Sequence, residues 1–383
     1  MPRLVFALSL LFVAFSRPVL GQGSGVGTRV DLTPKLPLNV GTTGQFCQLF
    51  IPEYYETPPD GLVTLVFHLH SASWAAEDEV YRARANAIVV NIHLGAFSSP
   101  YAAYFTDPAR FQQVIDTALS ALAQRGLVTQ PAIGTLILTS FSAGYAGVRE
   151  MLKVGASYDR INALALADGL HSNSDAATKA IQMMDFVRFA ADAREGKKVL
   201  LLTHSSITTS GYENTTQTAD YLIAGIGSLR QAFSNTDEIG QQYSRCDTGT
   251  FRLRGYYGDT AADHLKHLYA MHLMVSQALS LLGGATSVPR KQGEIPRDEI
   301  LFENYPNPFN ASTEIAFHVP VRSDVRLEVF DALGRKLQTI LRGEFGPGDY
   351  RTRYDAVNTP SGTYYLSLLL GARRESRRIV LTK

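Results

Sequence analysis

The stretch Thr139-Ser140-Phe141-Ser142-Ala143-Gly144-Tyr145 ends an apolar run at small residues, and a helix-compatible segment follows at once. A strand that feeds a helix through so tight a turn lifts one side chain, here Ser142, clear of the sheet. Small residues two before and two after it, Ser140 and Gly144, relieve the collisions such a turn would otherwise cause. The helix aims its free N–H groups at the space beside that hydroxyl, where a developing oxyanion would sit. The chemistry suggested is nucleophilic attack on a carbonyl. Ser140 is the weaker nucleophile, because two residues after it stands Ser142 rather than a glycine. A serine hydroxyl reacts poorly at neutral pH, so a base must lie within hydrogen-bond reach and a third group must orient that base.

Histidines are plentiful near the same level of the chain. His68, His70, His93, His171 and His204 all fall at or just beyond the carboxyl ends of apolar runs. Imidazoles with an aspartate could hold zinc, but no closely spaced ligand pair on a helix supports that. Neither a metal nor a cofactor is expected. The plainer reading is a polar pocket, in which His70, His171, His204 and Trp74 would contact substrate. Tyr101, Tyr104 and Phe105 would serve either as apolar walls or as core.

The elements that must position these groups follow from periodicity. Apolar, β-branched runs at 46–51, 62–70, 87–94, 134–138, 161–168, 198–204 and 251–257 read as strands. Helical patterns separate them at 108–125, 145–153, 175–195 and 217–233, and a last helix covers 261–282. Strands alternating with helices at this spacing predict an α/β fold, a doubly wound and mostly parallel sheet whose ligands bind at the strands' carboxyl edge. Only about 20 residues of helix separate Asp168 from the next strand, which leaves no room for a large lid.

Ser142 and its turn resemble the elbow of the α/β-hydrolase family, Gly-x-Ser-x-Gly, with Ser140 in place of the first glycine. The family order of serine, acid and histidine implies His264, between the last strand and last helix, as the base; His267 is the competitor inside that helix. The resemblance implies Asp168 as the acid, at the end of a strand and followed by Gly169, ahead of Glu213, Asp259 and Asp263. It also implies an oxyanion hole from the N–H of Ala143 and of Ser71 or Ala72. Here His70-Ser71 stands where the family often has a His-Gly pair.

The 383 residues carry a net charge of +1 and are 45% hydrophobic, room for one medium domain and a small second one. No basic excess argues for nucleic acid. Residues 1–21 read as a secretory signal: Arg3, an apolar core from Leu4 to Phe15, and the small-residue end Val19-Leu20-Gly21. That core is too short to span a bilayer, and no transmembrane anchor is expected. Export makes a bond between Cys47 and Cys246 chemically permissible, but the strands near them would lie far apart in the sheet; two separate buried thiols are the other reading.

The hydrolase-like domain is expected over 22–284, a solvated linker over 285–299 and a different module over 300–383. There, short alternating runs punctuated by Asp331-Ala332-Leu333-Gly334, Gly346-Pro347-Gly348 and Pro360-Ser361-Gly362 predict a small all-β, immunoglobulin-like sandwich. Asn304-Tyr305-Pro306-Asn307-Pro308-Phe309-Asn310, Val329-Phe330-Asp331-Ala332-Leu333-Gly334, Ser361-Gly362-Thr363-Tyr364-Tyr365 and the basic Arg377-Arg378-Ile379-Val380-Leu381 carry a close resemblance to the type A sorting domain of the type IX secretion system. It implies recognition by that translocon and passage across the outer membrane, to the cell surface or beyond. An accessory carbohydrate-binding sandwich is the other reading of such a module.

Together these readings predict a secreted serine hydrolase, a carboxylesterase acting on small or polymer-linked esters through Ser142, His264 and Asp168. A non-catalytic binding protein on the same fold and a secreted serine peptidase are the alternatives.

Overall fold

A computed structural model describes residues 26–38, 44–283, 301–319, 323–331, 335–346, 348–357, 359–370 and 373–383. The leader at 1–21 and the linker at 285–299 lie outside the described residues. The chain divides into two compact units, one from Gly23 to Pro289 and one carrying Arg290–Lys383.

Strands of the first unit are β1 (Gly27–Asp31), β2 (Phe46–Pro52), β3 (Leu62–Leu69), β4 (Ile88–His93), β5 (Ala132–Phe141), β6 (Ala163–Ala167), the two-residue β7 (Ser172–Asn173), β8 (Val199–His204), the two-residue β9 (Tyr212–Glu213), β10 (Gln231–Thr236), β11 (Gln241–Thr248) and β12 (Phe251–Tyr256). Its helices are α1 (Ser73–Ala83), α2 (Ser98–Phe105), α3 (Arg110–Gln124), α4 (Tyr145–Lys153), α5 (Gly155–Arg160), α6 (Ala176–Arg194), α7 (Thr215–Gly225), α8 (Ala261–Tyr269) and α9 (Met271–Leu281). All the long strands join one ten-stranded sheet in the order β1-β2-β4-β3-β5-β6-β8-β12-β11-β10. The six central strands from β4 to β12 run parallel, and antiparallel pairs close both ends.

The parallel strands are apolar on both faces because helices cover both. Leu65, Phe67, Leu136 and Leu138 pack on one side with Phe111, Met151 and Phe186. Val66, Val89, Ile137 and Ala165 pack on the other with Val80, Met271 and Val275. Strand alternation thus assigns each odd or even position to its own helix layer.

Two expectations need correction. The helix expected over 217–233 stops at Gly225, and Gly227 takes a left-handed φ of 63° that ends it. The residues beyond it form β10, whose antiparallel pairing with β11 extends the sheet. The last helix is interrupted at Ala270, where no glycine or proline stands. Tertiary packing sets that break: Ala270 is buried with Ile239 and Tyr256. Cys47, on β2, and Cys246, on β11, are both buried and free, separated by most of the sheet.

The second unit comprises β13 (Leu301–Tyr305), β14 (Ser312–Val319), β15 (Ser323–Phe330), β16 (Lys336–Phe345), β17 (Gly348–Asp355), β18 (Gly362–Leu370) and β19 (Arg373–Leu381). They form two antiparallel sheets, β13-β14-β17 and β16-β15-β18-β19. Alternate residues of both, among them Ile315, Phe317, Leu327, Val329, Leu366 and Leu368, share one core, which makes the unit a sandwich.

Candidate active site

β5 ends at Phe141, and Ser142–Gly144 form a single 3-10 turn that leads into α4. Ser142 has a φ of 47°, a left-handed conformation costly for any residue with a Cβ and found at strained functional turns. Two glycines make the turn possible. A Cβ on Gly144 would lie 2.7 Å from the Leu69 carbonyl oxygen and 2.8 Å from Ser140 Oγ. One on Gly169 would lie 2.5 Å from the Ser142 amide nitrogen. The first lets the elbow settle on the end of β3; the second lets the segment after β6 press against the elbow.

The three sequence-predicted groups meet above this edge. His264 Nε2 is 2.9 Å from Ser142 Oγ, and His264 Nδ1 is 2.7 Å from Asp168 Oδ2. His264 reaches this place from the first turn of α8, which Thr260 and Asp263 fix through a reciprocal capping box. With Nδ1–H donating to the carboxylate, Nε2 is left to accept the serine proton.

Asp168 is itself held from behind. Its Oδ1 accepts from the Ser205 N–H at 2.9 Å and from the Thr215 hydroxyl at 2.7 Å. Burial opposes its ionisation, but the hydrogen bond to His264, the nearby His267 and His264 rings and the Ser205 N–H outweigh it, holding the carboxyl well below the usual carboxylate range. Asp168, too, adopts a left-handed φ, 41°, which an aspartate tolerates better than most residues.

The competing acids are engaged elsewhere. Glu213 pairs with Lys179 at 2.7 Å, and Asp263 serves the α8 cap and Lys266. Asp259 is exposed beside the capped turn. His267 is buried and bonds Thr203 Oγ1 at 2.9 Å, about one turn along α8 from His264. Ser140 is fully buried, under the turn rather than on it.

The other predicted side chains divide. Ser71 and Ala72 come just after His70 beyond the end of β3, whose Leu69 pairs with Ser140, and Ala143 follows Ser142. His70 has a φ of 76° and bonds the Tyr101 hydroxyl at 2.9 Å, while Tyr101, Tyr104 and Phe105 all belong to the core. His171 stands between Tyr145 and Tyr212, at ring distances of 5.4 and 5.3 Å. Trp74 leans on Tyr269 in the α1 and α8 layer. His204 departs from the expectation of a substrate contact. It is fully buried, its Nδ1 is engaged by Thr216 Oγ1 and the Ser205 carbonyl, and its Nε2 by Arg230. Among the described residues no three His, Cys, Asp or Glu side chains converge in a way that would hold a metal ion.

Sequence reasoning missed four participants. Ser205 and Thr215 grip the acid from loops with no local signature. Gly169 shows in the sequence only as the residue after Asp168, with nothing to mark it as the contact surface for Ser142. Phe141 packs its ring on His264 at 4.5 Å, and its place beside Ser142 was the available signal.

The sequence β1-β2-β4-β3-β5-β6-β8-β12, with the elbow after β5, defines an α/β-hydrolase fold, extended here by the β10–β11 hairpin. The second unit has a firmer relative. Residues 303–382 match the family model of the secretion system C-terminal sorting domain. The protein therefore carries an address for type IX export to the cell surface or the exterior. No helix among the described residues is long and apolar enough to cross a membrane. Among solved structures, siderophore hydrolase EstA from Aspergillus nidulans matches at 10% identity, over 69% of this chain and 98% of its own, with a TM-score of 0.39. EstB from the same organism matches at 12%, over 67% and 95%, with a TM-score of 0.38. No curated protein sequence matches the chain.

Proposed function

We propose that the protein is an exported serine hydrolase that cleaves carboxylic esters, with Ser142 as nucleophile, His264 as general base and acid, and Asp168 as the group orienting the base. The observation that carries this reading is the continuous relay from Asp168 Oδ2 through the His264 ring to Ser142 Oγ, at 2.7 and 2.9 Å, across 122 residues of chain. In the first half-reaction the hydroxyl proton passes to His264 Nε2 as the Oγ–carbon bond forms. The carbonyl electron pair moves onto its oxygen, facing the N–H of Ala143 and of Ser71 or Ala72. Collapse expels the alcohol, which leaves with the proton from His264. A water then repeats the sequence on the acyl-enzyme and frees the acid.

In this reading His171, with Tyr145 and Tyr212 beside it, and His70 and Trp74, just beyond β3, line the space for substrate. Extracellular, polymer-linked esters suit a protein with an export address and only β7 and α6 between Asp168 and β8. The test is a fluorophosphonate probe followed by peptide mapping, alongside a panel of short-chain p-nitrophenyl esters and peptides. Labelling of Ser142 with ester turnover is the expected result. Absence of both from the folded protein, or turnover of peptides alone, overturns the reading.

A further inference from the structure

The Ser142–His264–Asp168 relay sits over a row of aromatic rings. Rings line up across the sheet beneath it: Phe46 on His93 at 5.5 Å and 21°, His93 on His70 at 5.6 Å and 26°, His70 on Phe141 at 6.1 Å and 23°. The last member, Phe141, meets His264 at 4.5 Å and 34°. Strand register produces the row. Phe46 is directly paired with His93 across β2 and β4, and Phe141 is the residue that ends β5. The row is anchored midway by the Tyr101 hydroxyl, which bonds His70 Nδ1 at 2.9 Å, His93 Nδ1 at 3.4 Å and the Leu94 N–H at 3.0 Å.

We propose that Phe141 is a positioning residue for the base: fixed on one side by the stacked rings, it holds the His264 ring on the line from Asp168 to Ser142 and faces that ring while it carries the serine proton. This rests on the reading of Ser142, His264 and Asp168 as a hydrolytic relay and adds a residue to it. An aromatic face attracts a cation through its quadrupole, so the Phe141 ring favours the imidazolium over the neutral imidazole. The other titratable groups that act on His264 are Asp168, His70, His171 and His267. His267 is buried and His70 and His171 are half-buried; loss of solvation pushes all three below the usual histidine range and leaves them uncharged at neutral pH, so the relayed proton has one landing place.

The test uses the full chain carrying Phe141→Leu, Phe141→Tyr or, as a control for a plain core cavity, Phe186→Leu from the opposite helix layer. Each is measured for Tm, for the rate of fluorophosphonate labelling and for the pH profile of p-nitrophenyl ester turnover. In Phe141→Leu, kcat should fall roughly tenfold with KM little changed. The acidic limb of the kcat profile should move down by about half to one pH unit, because losing the aromatic face disfavours the protonated base. Phe141→Tyr should restore both. Phe186→Leu should lower Tm without moving the limb. A Phe141→Leu enzyme with the wild-type limb, or a shift shared by Phe186→Leu, overturns the role of Phe141 and leaves the relay standing. A wild type that the probe does not label overturns both.

Discussion

Ser142 and Asp168 both sit in left-handed backbone conformations, which local sequence preference does not supply. Their neighbours hold them there, and the expected consequences of substitution follow from that. Ser142→Ala should abolish probe labelling and reduce ester turnover by roughly a thousandfold or more while leaving Tm nearly unchanged, since it removes one half-exposed oxygen. Asp168→Asn should lower kcat by about the same order through the wrong His264 tautomer, and kinetics at saturating ester would register it. The buried histidines set a pH dependence of folding. His204 and His267 are each pushed down to about 4 by burial. Below pH 6.5 the unfolded chain takes up protons that the folded chain refuses, so the stability these rings contribute is complete above that value and drains away as the pH falls towards 4. Each ring accounts for roughly 2 to 3 kcal/mol of the loss. Urea unfolding at pH 7.5 and 4.5 should show the decline, and His204→Gln should reduce it.

At the scale of elements, the turn after β5 and the segment after β6 interlock through glycines. Gly169→Ala would place a methyl against the Ser142 amide, so it should cost about 2 kcal/mol or more and suppress labelling beyond what its Tm change explains. Labelling rate compared with Tm separates the two effects. Much of this layer was legible in the chain. The central strands announce themselves as apolar runs, and the elbow shows as a run that halts at Ser140 and resumes as helix at Tyr145. What was hidden depended on distant partners. The 217–233 segment reads as helix by composition, and only its pairing with β11 makes the end of it a strand. The break at Ala270 has no breaker residue and arises from packing on Ile239 and Tyr256. Thr215 holds Asp168 from 47 residues away, a contact that no local pattern encodes.

For the whole molecule, the cores are separate: one unit encloses its sheet between two helix layers, and the other buries alternate residues of two small sheets. Every group of the proposed relay lies in the first. A chain ending after residue 283 should therefore hydrolyse esters in vitro as the full chain does, yet fail to cross the outer membrane of a host equipped for type IX export. Assaying periplasm and medium for both versions checks this.

Asp168 follows β6, directly beside β5, the strand that runs into Ser142. Residues 206–211, which follow the next strand, thus bear no part of the proposed proton path, which touches that strand's end only through the Ser205 amide. Evolution can lengthen, shorten or recompose that rim to admit a new alcohol or acyl chain while the relay stays as it is, so relatives of this chain should diversify there first.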